Sequence, residues 1–373
     1  MRVLHVFRTY IPDTRGGMQE VIRQICRSTG ALGITNRVFS PSPNPEPAVV
    51  DVDGTPVVRV KLNFEIASCG FCLTGLAEFR RQVVWADVVH YHFPWPFADL
   101  MHFLVRVKKP ALLTYHADII RQQGLLKLYA PLMQRFLDSV DRIVCTSTVY
   151  RDSSPNLQRR SAKVSVIPIG LCDTSYPQVT DAELSQVRAE FGEGFFFFVG
   201  MLRYYKGLHI LLDAAKDRGF KVVIAGKGPL EHELKQQAKS LGLDNVVFAG
   251  EVTDEVKVAL LKLCRGVVFP SHVRAEAFGV TLLEGAMYSK PLISAETGSG
   301  TSHVNQQDET GFIVPAEDPV ALGDAMEKLH KDIQLAKQLG KGARTRFESL
   351  FTAAAMGAQY VDEYRKLVAE TSN

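Results

Sequence analysis

Glu276 and Glu284 stand eight positions apart in the run Glu276-Ala-Phe-Gly-Val-Thr-Leu-Leu-Glu284, a spacing that can serve one ligand. The apolar stretch between them reads as a turn entering a helix, with Glu276 in the turn and Glu284 about two turns in. The backbone N–H groups of Phe278, Gly279 and Val280 are then the orphan donors of a helix N-terminus, where the macrodipole favours a phosphate. Gly279 has no side chain to hold that phosphate away. Carboxylates accept hydrogen bonds from ribose and sugar hydroxyls. The constellation suits a sugar nucleotide, with its diphosphate on the helix end and a glutamate at each flank. Spacing alone leaves a second reading, two glutamates on a solvated helix face.

Other residues offer complementary chemistry. After the apolar run Phe195–Val199 comes Gly200-Met-Leu-Arg203-Tyr-Tyr-Lys206-Gly207. Arg203 and Lys206 lie one turn apart, so a guanidinium fork and an ammonium point charge can both reach a diphosphate. A solvated basic turn is the alternative. Gly16-Gly17 precedes a helical pattern and allows either close backbone approach to a ligand or a plain tight turn. His116 directly follows the strand-like Ala111–Tyr115, and a lone histidine there is open between a structural and a site role. His90 and His92 share a strand face, but a metal pair needs a third ligand at suitable spacing and none accompanies them. His92 and Trp95, within Tyr91-His-Phe-Pro-Trp-Pro-Phe97, instead make a candidate acceptor wall, because sugar faces stack on aromatic rings; packed core is the other reading. Asp51-Val-Asp53 mimics a metal-binding D-x-D yet runs straight into Gly54 between strand-like segments, the signal of a hairpin turn. Cys69-Gly-Phe-Cys72 has neither a second cysteine pair nor a histidine pair beside it, so reduced structural thiols are expected. Gly226-Lys-Gly228 lacks the third glycine of a dinucleotide fingerprint.

The elements that must position these residues form two βα series. Val3–Phe7, Asp87–Tyr91, Ala111–Tyr115 and Arg142–Thr146 alternate with helical patterns at Gln19–Ser28 and Leu125–Ser139. Phe195–Val199, Lys221–Ala225, Asn245–Ala249, Gly266–Phe269 and Pro291–Ser294 repeat the scheme. Such alternation predicts parallel, doubly wound sheets, whose ligands bind beyond the carboxyl ends of the strands. A length of 373 residues exceeds what one core usually holds, and the Pro- and Gly-containing stretch from Pro168 to Pro177 is the expected linker. Residues 1–170 hold 21 Lys and Arg against 13 Asp and Glu, whereas the remainder holds 22 against 27. The basic amino half fits an anionic membrane surface or a pyrophosphate-linked acceptor, or is simply uneven surface charge. The segment from Ile119 to Leu137, with Arg121, Lys127 and Arg135 among apolar residues, is compatible with an interfacial helix or with core packing. No apolar run reaches bilayer-spanning length and Met1–Val6 reads as a core strand, so a cytoplasmic protein is expected.

Pro270-Ser271, Glu276-Ala-Phe-Gly279, Leu283-Glu284-Gly-Ala-Met, Lys290-Pro-Leu-Ile293 and Thr310-Gly-Phe-Ile-Val314 together resemble the C-terminal half of the retaining nucleotide-sugar glycosyltransferases of family 4, also called group 1. The likeness extends over nearly the whole chain. It implies the α/β GT-B fold, two Rossmann-like parallel-sheet domains facing an interdomain cleft. Residues 1–170 would bind the acceptor, 171–350 would bind the nucleotide sugar, and 351–373 would form a helix crossing back to the first domain. It implies that Glu276 holds hydroxyls of the transferred sugar, that His116 touches that sugar, that Glu284 binds the ribose, and that Val252 lies near the base. Lys206 matches the family's loop lysine, whereas Met201 occupies the usual arginine position and Arg203 is expected to substitute. The diphosphate is then met by Arg203, Lys206 and helix-end amides, which implies chemistry without a metal or an organic cofactor.

His92-Phe-Pro-Trp-Pro-Phe-Ala-Asp99 and Thr297-Gly-Ser-Gly-Thr-Ser-His-Val-Asn305 look most like bacterial O-antigen and polysaccharide transferases that use GDP-mannose or GDP-rhamnose. The resemblance therefore implies a GDP-sugar donor, a polyprenyl-pyrophosphate-linked saccharide acceptor, peripheral attachment to the inner face of the plasma membrane and no nucleic-acid partner. UDP-sugars stay open, because nothing in the loops separates guanine from uracil. A nucleotide-sugar epimerase, or a catalytically inactive sugar-nucleotide-binding subunit, would keep the same architecture. An NAD oxidoreductase is a more distant alternative.

Overall fold

A computed structural model of the chain describes residues 1–67, 69–119, 123–274 and 276–371. It divides into two compact units, Met1–Gly170 with Ala353–Asn373, and Leu171–Thr352.

The first unit is built on β1 (Arg2–Val6), β2 (Thr35–Ser42), β3 (Val49–Val52), β4 (Thr55–Lys61), β5 (Phe64–Ile66), β6 (Cys69–Phe71), β7 (Val88–Phe93), β8 (Ala111–Tyr115), β9 (Arg142–Cys145) and β10 (Val164–Val166). Eight of these form one sheet in the order β10-β9-β8-β7-β1-β2-β4-β3, and β5 pairs separately with β6. All pairings in the large sheet are parallel except β3 with β4. The central strands β7 and β8 are buried along their whole length, as expected where helices cover both faces of a parallel sheet. Helix Gly17–Gly30 turns Val21, Ile22 and Ile25 inward as one stripe. The last helix, Ala353–Thr371, belongs to this unit; its Tyr360 and Tyr364 hydroxyls reach Thr114 at 2.9 Å and His90 at 2.8 Å.

Asp51 and Asp53 flank the β3–β4 hairpin. Asp53 and Gly54 both have positive φ, 52° and 79°, the backbone twist that two-residue hairpins favour. Asp51 accepts the Gly54 N–H at 2.9 Å, and Asp53 pairs with Arg23 at 2.6 Å and Arg27 at 3.0 Å. Helix Gln123–Ser139 buries Met133, Phe136 and Leu137 and lays Arg135 over the Phe103 ring, while Leu128 is 81% exposed. Arg121 lies outside the described residues. Among the described residues, no helix is long and apolar enough to cross a membrane.

The second unit holds β11 (Phe196–Val199), β12 (Val222–Ala225), β13 (Val246–Gly250), β14 (Gly266–Phe269), β15 (Leu292–Glu296) and β16 (Gly311–Pro315). Their order, β13-β12-β11-β14-β15-β16, is fully parallel and reverses direction between β11 and β14. That is the doubly wound dinucleotide-type order, and its crevice opens at the reversal. Phe196, Phe198, Val222, Ile224, Val268 and Ile293 form the sheet side of the core, met by Leu211, Leu322 and Met326 from the helices.

Candidate functional site

The loops that leave β11 and β14 are neighbours at the reversal, and they carry Arg203 with Lys206 and Glu276 with Gly279. Lys206 donates through Nζ to Glu276 Oε2, with the side chains 12% and 15% exposed. The ammonium also sits 4.7 Å from the Phe269 ring centroid. Burial alone would lower the lysine pKa, but the charge and hydrogen bond of Glu276 outweigh it and raise it, so Lys206 stays charged. Gly207 brings the two loops together: φ is 69°, and a Cβ there would meet the Pro270 carbonyl oxygen at 2.0 Å. His272 braces the same loop, with Nδ1 2.9 Å from Glu317 and Nε2 3.0 Å from the Tyr204 carbonyl. Arg203 stands apart from the ion pair, exposed, with Nε 2.9 Å from the Met201 sulfur.

Helix Val280–Met287 begins at Gly279, whose φ of 93° and lack of a side-chain cap leave its first N–H groups without an intrahelical acceptor. Thr281 ties this end to β11 by donating to the Val199 carbonyl at 3.1 Å. The Phe278 ring is buried, edge-on to Phe351, so only its backbone is offered to a ligand. Glu284 is 6% exposed and accepts on Oε1 from the Tyr176 hydroxyl and from Lys257 Nζ, both at 3.0 Å. Burial pulls the Lys257 pKa down, but Glu284 and Asp254 more than offset it and the net direction is up. The two glutamates thus have separate lysines. Val252 is half-buried in the turn before the Thr253-capped helix Asp254–Leu263. Gly226 and Gly228 serve loop packing, since a Cβ at Gly228 would meet the Leu202 carbonyl at 2.4 Å.

In the first unit, Gly16 is the extended N-cap residue of helix Gly17–Gly30 and no side chain caps that end. His116 is buried just beyond β8; its backbone N–H donates to the Phe93 carbonyl at 3.1 Å, and its Nε2 lies 3.0 Å from His92 Nδ1. The expected acceptor wall of His92 and Trp95 is corrected here. Trp95 is 1% exposed and donates its indole N–H to the Gly70 carbonyl at 3.0 Å, so neither ring face is available to a sugar. His92 is equally buried, and both its nitrogens are engaged, by His5 and His116. The fold also supplies the third histidine that spacing along the chain did not show: His5, His90 and His92 bring ring nitrogens within 4.8 Å of one another. Each of those six nitrogens already faces a hydrogen-bond partner.

Two family models match the chain, Glycosyltransferase Family 4 over residues 15–173 and Glycosyl transferases group 1 over residues 181–346. D-rhamnosyltransferase WbpZ of Pseudomonas aeruginosa is 52% identical over 353 residues, which cover 95% of this chain and 93% of that protein. This chain belongs to the group 1 glycosyltransferases. The O-antigen chain mannosyltransferase C of Escherichia coli is 46% identical over the full length of both chains. Among solved structures, sucrose-phosphate synthase from Thermosynechococcus elongatus superposes with a TM-score of 0.79 at 20% identity over 99% of each chain. Anabaena Alr3699/HepE in complex with UDP gives 0.76 at 18%, over 98% of this chain and 100% of that one. These two likenesses concern the fold, which is GT-B.

Within this glycosyltransferase, Tyr176 and Lys257 as partners of Glu284, and His272 as a brace of the Tyr204 loop, were not legible in the sequence. Tyr176 lies 108 positions from Glu284 and Lys257 comes from another helix, so no short motif joins them. The one available signal was general: Glu284 in an apolar helical run needs a counter-charge if its side is buried.

Proposed function

We propose that this glycosyltransferase transfers a hexose, D-rhamnose or mannose, from a GDP-sugar to a polyprenyl-pyrophosphate-linked saccharide in O-antigen synthesis, retaining the anomeric configuration. The observation that carries the donor site is the Lys206–Glu276 pair beside the uncapped helix end at Gly279, at the reversal point of the second sheet. An incoming diphosphate competes with Glu276 for Lys206. Its oxygens accept from the ammonium and from the Gly279 and Val280 N–H groups, with Arg203 as a second cation. Glu276, released from the lysine, accepts from hydroxyls of the transferred sugar. Glu284 Oε2 accepts from the ribose while Oε1 stays with Tyr176 and Lys257. As the acceptor oxygen bonds to C1, the bond from C1 to the β-phosphate oxygen breaks and a phosphate oxygen takes the acceptor proton. Stabilising the charge left on the diphosphate is the main catalytic contribution. The two cations and the helix end meet this charge without a divalent ion.

The names of the two close relatives support the sugar and the pathway, and the basic amino half supports a pyrophosphate-linked acceptor held at an anionic membrane face. The test is a panel of GDP-mannose, GDP-rhamnose and UDP-hexoses, scored by thermal shift and by the anomeric coupling of the product. A GDP-sugar should raise the melting temperature and give an axial linkage. Stabilisation by UDP-sugars alone would refute the choice of base, and an inverted product would refute retention.

A further inference from the structure

Asn36, His5, His92 and His116 form one file of hydrogen bonds inside the first unit. Asn36 Oδ1 lies 3.1 Å from His5 Nε2, His5 Nδ1 lies 3.0 Å from His92 Nε2, and His92 Nδ1 lies 3.0 Å from His116 Nε2. The rings come from neighbouring strands: His5 from β1, His92 from β7 and His116 from just beyond β8. All four side chains are buried.

The direction of the file is decided at its far end. The Asn36 amide nitrogen donates to the Cys26 carbonyl at 2.9 Å and to the Thr29 hydroxyl at 3.0 Å, so its oxygen is the atom that faces His5. An amide oxygen only accepts, hence His5 carries its proton on Nε2. Burial also keeps each ring neutral at pH 7, lowering His5 and His116 to about 4 and His92 well below the ordinary histidine value. A neutral imidazole has one N–H. The bare Nδ1 of His5 must therefore accept from His92 Nε2–H, and the bare Nδ1 of His92 must accept from His116 Nε2–H. His116 is left with an unprotonated Nδ1, which no described residue engages in a hydrogen bond. His90 stays outside the file, because Tyr364 and Thr114 occupy its nitrogens.

We propose that Asn36, His5 and His92 are positioning residues that hold His116 as its Nε2–H tautomer, so that the Nδ1 lone pair accepts a hydrogen bond from a substrate hydroxyl. The proposal rests on the preceding reading of glycosyl transfer together with the sugar contact that the family resemblance implies for His116, and it adds a sign to that contact. A sugar that presents a hydroxyl to Nδ1 is accepted; one that presents a carboxylate or a bare ether oxygen meets lone pair against lone pair.

Long-range proton–nitrogen NMR on the wild-type protein labelled in histidine reads the tautomer directly and depends on no variant. His116 should show a protonated Nε2 and a bare Nδ1 at neutral pH. An Nδ1–H tautomer, an imidazolium, or zinc found at one equivalent in the purified protein would overturn the file. Catalysis gives the second arm. His92→Phe removes the acceptor that orients His116, and kcat should fall about tenfold with little change in donor KM. His92→Gln should restore most of it, since a glutamine amide can donate to His5 and accept from His116. Equal kcat values for His92→Phe and wild type would overturn the positioning role. His116→Ala with full activity would overturn the contact of Nδ1 with a substrate hydroxyl, while the reading of donor specificity, tested by the nucleotide-sugar panel, would stand or fall separately.

Discussion

In the second unit, the strand ends at the sheet reversal meet as charges: Lys206 with Glu276, and Lys257 with Glu284 close behind. In the first unit the neighbouring strands β1 and β7 meet as uncharged rings, with His5 opposite His90 in register and His92 two residues on. Both sheets are doubly wound, and only the edge pair β3–β4 of the first is antiparallel, so the backbone offers each the same kind of crevice. What differs is how the polar groups there are satisfied. An ion pair can exchange a carboxylate for a phosphate, and the cost of breaking it is returned by the ligand. A saturated file of neutral hydrogen bonds has no such exchange and offers direction in place of charge. The second unit is thereby suited to hold a diphosphate, and the first to orient a hydroxyl.

The largest effect that would break this comparison is at Lys206. Lys206→Met should lower kcat/KM by about 10²–10³, the scale of losing a main electrostatic contact to the leaving group. Arg203→Ala, at an exposed side chain lying against Met201, should cost about tenfold and leave thermal stability unchanged. Steady-state kinetics with the transferred donor checks both. If Arg203→Ala cost as much as Lys206→Met, the leaving group would be held mainly by the exposed cation and not by the paired one.

The two glutamates sharpen the contrast within the second unit. Glu284→Ala removes one of the two carboxylates that pair Lys257, which keeps Asp254 at 3.2 Å, and leaves the Tyr176 hydroxyl without its Glu284 acceptor, so it should destabilise the unit by about 1–3 kcal/mol, besides weakening binding of the free nucleoside diphosphate. Glu276→Gln frees Lys206 for phosphate, so affinity for the free diphosphate should hold or rise while turnover falls. Calorimetric titration with GDP separates the two, and equal losses of GDP affinity would sink the division of ribose and sugar between them.

Strands were legible wherever a short apolar run ended in a turn signal: Ala111–Tyr115 and Gly266–Phe269 were read at their observed limits. The strand Thr35–Ser42 was not, because Thr35, Asn36 and Pro41 interrupt its apolar pattern, and Asn36 is polar for a reason visible only in three dimensions. The same holds for the site. Lys206, Glu276 and Glu284 were readable as candidates because loop and helix-end chemistry is local in sequence. Trp95 was misread because an aromatic residue after a strand serves core and ligand equally well, and only burial separates them. His5 lies 87 residues from His92, and the pairing exists only because β1 and β7 are sheet neighbours.

The uncharged rings of the first unit also predict its acid behaviour. His5 and His116 have folded pKa values near 4, below their ordinary 6.5, so the unfolded chain binds more protons between those values. Stability is then fully present above about pH 6.5 and is lost as pH falls toward 4, by about 1.4 kcal/mol per pH unit for each such ring. Denaturant unfolding at pH 7 and pH 5 should show this loss. A stability independent of pH over that window would mean that the rings are already hydrated or charged when folded.

The smallest effect is expected at the β3–β4 hairpin, far in character from either crevice. Asp53 answers Arg23 and Arg27 while about one third exposed, and such pairs contribute on the order of 1 kcal/mol or less. Asp51 caps the turn by accepting the Gly54 N–H. Asp51→Asn keeps that acceptor, and Asp53→Asn keeps the turn, since asparagine tolerates positive φ as readily as aspartate. The double variant should therefore unfold within about 1 kcal/mol of wild type and transfer sugar at an unchanged rate. The same assay in excess chelator should also retain activity, because in the proposed site Lys206, Arg203 and the helix end at Gly279 meet the charge of the leaving diphosphate. Loss of transfer in chelator, recovered with magnesium or manganese in wild type but not in the double variant, would place a metal at these two aspartates and overturn the assignment of charge to the second unit.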